Sequence, residues 1–367
     1  MLINIMDPAL RISAGHHLDI DRQVARELKR AGHDVHVYSH ADIASDAREA
    51  LLADAALTPL FRISPYFETP VQSPGSDALH AFANTAASIA HDLKRVRAAD
   101  LWIWPTLFST QHYACVLARP AVRNVGCIMV EPTYLNQAGH RLWRHTLAQA
   151  RESGLRFELG VLEPVLRDEY LPLVSNDELI ALPYPFDRIA SANRKSQLRK
   201  VGFFGNQRDE KGAALLGTLI ESLIQQNFEV VVHDSSGCSD GQSTNKLKLV
   251  LKYIEDLPAE IARCDLVVIP YRLEDYKYKG SGIVWTALAN GVPVVAPAAS
   301  APGKLVRELR AGKLFHAFSA PCVLQAVLDA KADYPALADA AWTVSTGWMA
   351  SHGVRKFVEA LLEGSPH

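Results

Sequence analysis

The chain has 367 residues, 49% of them hydrophobic and 21% charged, with a formal net charge of −2. That length exceeds one ordinary hydrophobic core and suits two domains. The near-neutral balance, with no basic concentration in either half, argues against a nucleic-acid binder.

Taken in chain order, the start Met1-Leu-Ile-Asn-Ile-Met-Asp7 enters a strand directly, without the basic residues of a signal peptide. Short apolar runs predict strands at 2–6, 35–38, 101–104, 125–130, 157–161 and 178–182, with helices between them, notably 18–30 and 79–97. Continuous apolar strands alternating with helices imply a parallel sheet covered on both faces. No apolar run approaches the ~20 residues of a membrane span.

Ser13-Ala-Gly-His-His-Leu-Asp19 lies between the first strand and the first helix. Gly15 there allows close backbone approach, and His16 and His17 can reach a ligand beyond the strand end. His16 is favoured by its place after glycine; the plainer reading has one histidine capping the helix and the other solvated. A set of His16, His17, Asp19 and Asp21 matches no zinc spacing, and no metal is expected. Thr106 and Glu131 follow the strands 101–104 and 125–130. Glu131 has no equally placed second carboxylate, so a hydrogen bond to a sugar hydroxyl fits it better than a glycosidase pair. An ordinary loop carboxylate is its bland alternative. The basic, amphipathic run His140–Arg151 either rests on an anionic membrane surface or packs through Leu142, Trp143 and Leu147 with its arginines solvated.

A polar segment from Pro183 to Leu198 reads as a linker, and a second alternating set follows, with strands at 201–204, 229–233, 266–270 and 292–296. The final hundred residues read as helical apart from that last strand. Leu215, Leu216, Leu219, Ile220 and Leu223 recur at helical spacing after Gly212. Arg208 and Lys211 therefore occupy a loop at the carboxyl end of a strand, where open α/β sheets bind ligands. A guanidinium fork and an ammonium suit a pyrophosphate; a solvated turn with a Glu210–Lys211 pair explains the same residues. Gly280, Ser281 and Gly282 sit where a helix begins, with free N–H groups and the positive end of its dipole. His233 closes a strand and can line the same pocket. Five cysteines (115, 127, 238, 264 and 322) form no pair and read as reduced, mostly buried thiols of a cytoplasmic protein.

Lys200–Gly212 and Lys279–Pro297, together with Leu182–Asp187 and Ile254–Pro270, resemble the carboxyl-terminal domain of retaining GT-B glycosyltransferases, family 4 (glycosyl transferases group 1) in particular. The amino-terminal half matches more loosely, through Gly15-His16-His17 and the turn Ala31–Tyr38. The resemblance implies an α/β fold of two doubly wound Rossmann-like domains facing a central cleft. Residues 1–184 would be the acceptor side, 185–350 the donor domain, and 351–367 a helix crossing back to the first domain. It implies retaining transfer of a sugar from a nucleoside diphosphate sugar to a hydroxyl of a glycan, polysaccharide or lipid-linked acceptor. Such a protein would be cytoplasmic, with peripheral contact at the inner membrane face.

By the same resemblance Arg208, Lys211, His16 and Glu131 are the catalytic candidates, and no cofactor is required if the two cations neutralise the diphosphate. Gly205, Asn206, His233, Tyr278, Gly280, Ser281, Gly282, Ile283 and Thr286 would bind the donor; Gly15, His17 and Thr106 would face the acceptor. One departure stands out. The family's two glutamates, eight positions apart, are here Tyr278 and Thr286, and a threonine cannot accept two ribose hydroxyls as a carboxylate does. That substitution keeps two other readings open: a sugar-nucleotide epimerase of the same fold, and a non-catalytic sugar-nucleotide or glycan-binding protein.

Overall fold

The computed structural model describes residues 1–13, 16–66, 76–134, 137–175, 178–189, 192–205, 207–233, 243–250, 254 and 256–364. Gly15, Asn206 and Cys238 lie outside these residues. The chain divides into two compact units, Met1–Pro185 with Val354–His367, and Phe186–Gly353.

In the first unit β1 (Leu2–Asp7) leads through α1 (His16–Arg30), β2 (Asp34–His40) and α2 (Ser45–Leu52) to β3 (Ala56–Phe61). Then come α3 (Ser76–Leu93), β4 (Leu101–Trp104), α4 (Ser109–Ala118) and β5 (Arg123–Ile128). The run closes with α5 (Gly139–Ser153), β6 (Phe157–Val161), α6 (Pro164–Tyr170) and β7 (Leu179–Ala181). The strands pair in parallel in the order β3-β2-β1-β4-β5-β6-β7. The central strands are apolar throughout because helices cover both faces: Ile3, Ile5, Ile103, Val125 and Cys127 are all at most 1% exposed. β3 and α2 are absent from the sequence reading. β3 is an edge strand carrying Pro59, with only two of its six positions buried, so it lacks an apolar run.

In the second unit β8 (Lys200–Phe203) is followed by a single 3-10 turn (Asp209–Lys211), α7 (Ala213–Gln225), β9 (Glu229–His233) and β10 (Leu247–Val250). Next are α8 (Leu257–Ala262), β11 (Leu266–Val268), α9 (Gly282–Ala289), β12 (Val294–Pro297) and α10 (Ala301–Glu308). β13 (Gly312–Phe315), α11 (Ala320–Ala332) and α12 (Tyr334–Ser351) complete it. This sheet is also parallel, in the order β10-β9-β8-β11-β12-β13. Its core joins Val201, Phe203, Leu219, Leu223 and Val230 to Phe315, Val323 and Val327. The expectation that only helices follow the strand after Gly291 is corrected here, since β13 pairs with β12. Gly312-Lys-Leu-Phe315 carries too few apolar residues to announce an edge strand.

α13 (Val354–Glu363) belongs to the first unit, where it buries Val354, Phe357, Val358 and Leu361 and packs on α1. Arg123 caps it: Nη1 donates to Leu362 O at 2.9 Å and Nη2 to Leu361 O at 3.1 Å. A cation there satisfies free carbonyls and the negative end of the helix dipole. α5 presents the packed face expected of it, with Leu142, Trp143 and Leu147 at 2–6% exposure. Among the described residues no helix is long and apolar enough to cross a membrane.

Candidate functional site

Each sheet has a point where strand order reverses, and open α/β sheets hold ligands beyond the carboxyl ends of the strands there. In the second unit these strands are β8 and β11. The chain leaving β8 turns at Gly205, with φ +100, a conformation that favours glycine. Two side chains pin this turn. Gly205 N donates to His233 Nδ1 at 3.3 Å, and Gln207 Nε2 donates to His233 O at 2.9 Å. His233, expected to line a pocket, is therefore a buried brace for the turn.

The 3-10 turn then aims Lys211 back across the strand ends. Its Nζ lies 3.4 Å from where a Cβ on Gly205 would stand, and 5.8 Å from the ring centre of Tyr271, which follows β11. Burial first, and then the Arg208 charge, lower the Lys211 ammonium to about 8, with Glu210 opposing. Among the described residues this ammonium has no carboxylate partner. Arg208 differs: it is more exposed and pairs with Glu210, Nε to Oε1 at 2.9 Å. In the alternative of a solvated turn, Glu210 would pair with Lys211; it pairs with Arg208 instead.

Tyr271 links Lys211 to the start of α9, with its hydroxyl 3.4 Å from Ser281 Oγ. Ser281 is the N-cap residue of α9, yet its side chain makes no cap hydrogen bond. The first amides of α9, at Gly282 and Ile283, are therefore left for another acceptor. Gly280 and Tyr278 are half-buried on the approach, with the Lys277 ammonium 4.6 Å from the Tyr278 ring centre.

Thr286 takes a different orientation from the ribose-facing one expected. It is 4% exposed, and its Oγ1 donates to Gly282 O, one turn back, at 2.7 Å. A buried threonine in a helix satisfies its hydroxyl this way because no solvent competes. Thr286→Val should accordingly change nucleotide affinity by less than about 0.5 kcal/mol. Thr286→Glu would bury a carboxylate and should cost several kcal/mol of stability, on the order of the penalty for an unpaired buried charge. Titration calorimetry and thermal melts of both variants check this; a large affinity loss in the valine variant alone would return Thr286 to the ribose.

In the first unit the reversal lies between β1 and β4. β1 ends in Asp7, which is 1% exposed, and Asp7 Oδ2 meets His17 Nδ1 at 2.6 Å. Burial raises the Asp7 carboxyl, but the His17 charge and hydrogen bond and the Ala9 amide bring it below its ordinary value. Asp21, one turn along α1 from His17, is fully buried, and burial followed by the Asp7 charge holds it well above a normal carboxyl. Of the two buried carboxyls Asp7 is the more acidic, and it is the one that meets His17. The oriented imidazole is thus His17, 14% exposed at its side chain, whereas His16 is exposed and stacks on it at 4.2 Å. The sequence favours His16; in the structure it is His17 that hydrogen-bonds Asp7.

An aromatic run leads away from this pair. Tyr66 meets His17 edge-on at 5.7 Å, Phe108 meets Tyr66 at 4.9 Å, and Tyr134 stacks on Phe108 at 6.4 Å. Glu131 is half-buried beside Tyr134. Thr106 is 3% exposed, and its carbonyl accepts from Gln111 Nε2 at 2.9 Å, so it serves the start of α4.

Residues 199–333 match the family model of glycosyl transferases group 1. The matched residues all lie in the second unit. No curated protein matches the sequence. Among solved structures the chain is similar to the glycotransferase of kitacinnamycin, at 17% identity and TM-score 0.67, covering 100% of this chain and 99% of that one. It is similar to sucrose-phosphate synthase from Thermosynechococcus elongatus, at 14% identity and TM-score 0.67, covering 99% and 98%. It is also similar to Alr3699/HepE of Anabaena, solved in complex with UDP, at 16% identity and TM-score 0.66, covering 99% of both chains. At such identities the likeness is one of fold, and the two-unit α/β architecture matches that of GT-B glycosyltransferases.

Within the matched residues, Gln207 and Tyr271 hold the site in ways that the motifs alone do not single out. Tyr271 was legible as the residue after a strand ending in Pro270. Gln207 gave no signal, because its role depends on the carbonyl of His233, twenty-six positions away.

Proposed function

We propose that the protein transfers a sugar from a nucleoside diphosphate sugar to an acceptor hydroxyl, with the donor on the second unit and the acceptor on the first. The observation that carries this reading is the half-buried ammonium of Lys211 at the strand ends, without an ion-pair partner among the described residues and joined through Tyr271 to the open start of α9. A diphosphate supplies the negative charge both features lack. In the reaction the bond from the sugar's anomeric carbon to the diphosphate oxygen breaks, and one to the acceptor oxygen forms. Lys211, Arg208 and the α9 amides stabilise the charge developing on the departing diphosphate, which lowers the barrier without a protein nucleophile. The structures of Alr3699/HepE with UDP and of VinC with DTDP give two nucleotides for a first screen.

Stereochemistry separates two versions. The resemblance to family 4 supports retention, in which the acceptor proton passes to the leaving phosphate on the same face. The Asp7–His17 hydrogen bond favours a second version, in which His17 Nε2 takes the acceptor proton while Nδ1–H stays on Asp7, the arrangement of a general base. Attack from the opposite face then inverts the anomeric centre. The anomeric coupling of the product, read by NMR, distinguishes them.

Calorimetry with UDP-, GDP-, dTDP- and ADP-sugars, followed by product analysis, tests the reading itself. Binding of one class, with turnover that needs an acceptor, is expected. Isomerised sugar nucleotide would indicate an epimerase, and binding without any turnover a non-catalytic module. Gly282→Val should remove nucleotide binding: an added Cβ already meets Phe186 Cζ at 3.1 Å, and the valine methyls cover the α9 amides. A Gly282→Val protein that binds the nucleotide normally places the phosphates elsewhere.

A further inference from the structure

A narrow slot opens in the first unit between α3, the start of α4, the loop after β5, α5 and α6. Its aromatic lining is Phe82, Phe108, Tyr134, Trp143 and Tyr170, and Glu131 lies on the same lining. It has room for little more than a water-sized group. Trp143 and Tyr170 are 2% and 1% exposed and meet edge-to-face at 5.4 Å, so two of these walls are fixed by packing. The Tyr170 hydroxyl is already engaged, donating to Val130 O at 3.2 Å.

Glu131 is the odd residue in this setting. It is half-buried among aromatic side chains, yet among the described residues its carboxylate has no ion pair and no hydrogen bond. Its charge is felt in the slot: burial first, and Glu131 second, push the Tyr170 phenol well up. Thr110, on the same lining, has a buried hydroxyl that also lacks a partner among the described residues. Ring faces carry negative potential, so five aromatic residues and a carboxylate on one lining make the slot attractive to a cation. An apolar group would leave Glu131 partly desolvated and unpaired, and an anion would be repelled. A bulky quaternary ammonium exceeds the space.

We propose that this slot binds a primary ammonium group, with Glu131 as its counter-ion, so that the acceptor is an amine-bearing molecule of the amino-sugar kind. The ammonium donates to Glu131 and to the Thr110 hydroxyl, and its remaining face lies against the rings. This inference rests on the acceptor role proposed for the first unit.

Glucosamine, glucose and N-acetylglucosamine titrated at pH 6.5 by ligand-observed NMR test it on the intact protein, because they share a ring and differ in the charged nitrogen. Glucosamine should bind at least about tenfold more tightly than the other two, the discrimination of one charge-assisted contact. Glu131→Gln keeps the shape, removes the charge and should erase that preference. Three sugars binding alike, none binding, or a preference that survives Glu131→Gln would each overturn the proposal. A parallel UDP and dTDP titration reports the donor reading by itself. Nucleotide binding without amine discrimination sinks only the ammonium slot, while amine discrimination without nucleotide binding sinks only the donor site.

Discussion

Replacing Lys211 with alanine should lower turnover of the sugar nucleotide by a hundredfold or more while leaving the fold intact. Loss of one preorganised charged donor at a developing anion costs roughly 2–4 kcal/mol of transition-state stabilisation. Arg208→Ala should cost less, because Arg208 is more exposed and shares its charge with Glu210 at 2.9 Å. The ammonium of the free protein titrates near 8, against an ordinary lysine value of 10.5. Affinity for a nucleoside diphosphate should therefore begin to fall as pH rises past about 8, earlier than an ordinary lysine would allow. The stability effect has the opposite sign. Between about 8 and 10.5 the unfolded chain holds the proton that the folded chain has released, so stability rises with pH across that window. Below it the folded protein carries the whole cost of a half-buried ammonium. Lys211→Met should thus be as stable as the parent at neutral pH, or more so, while losing the nucleotide. Steady-state kinetics, calorimetry from pH 7 to 9.5 and thermal melts read all three effects; full turnover in the alanine variant would remove Lys211 from the donor site.

Gly212→Ala should destabilise the second unit by about 2–4 kcal/mol, the range expected when backbone strain and overpacking combine. Gly212 has φ +87, and a Cβ there would run into the carbonyl oxygen of Pro270. The residue joins the 3-10 turn to α7, while Pro270 leads from β11 into Tyr271, so the clash falls between the two segments that hold Lys211 against the Tyr271 ring. Nucleotide affinity should drop with stability. Gly217→Ala is the contrast: it lies inside α7 with nothing within 4 Å of an added Cβ. It should stabilise by roughly 0.5–1 kcal/mol, the helix-propensity difference between glycine and alanine. Denaturant melts of both variants give the comparison. Equal effects would mean the tight turn at Gly212 tolerates a side chain.

Doubly wound parallel sheets are legible in the chain because their central strands are covered on both faces. Val201–Phe203, Leu266–Val268 and Leu101–Trp104 show as unbroken apolar runs for that reason. The edges β3, β10 and β13 mix Pro, Lys and Gly with apolar residues, since only part of each is buried, and local pattern alone does not reveal them. Loop positions after a strand are readable by the same logic, which is how Lys211, Ser281 and Gly282 stand out. Partner choice is another matter. Whether His16 or His17 holds the oriented imidazole depends on where β1 ends in Asp7, and whether Thr286 faces a ligand depends on how deeply α9 is buried. The slot around Glu131 gathers residues from five segments that approach one another only when β4, β5 and β6 align. Periodicity is a local property of the chain and records which face of an element is buried. Hydrogen-bond and ring partners are set by strand order, which no single segment encodes.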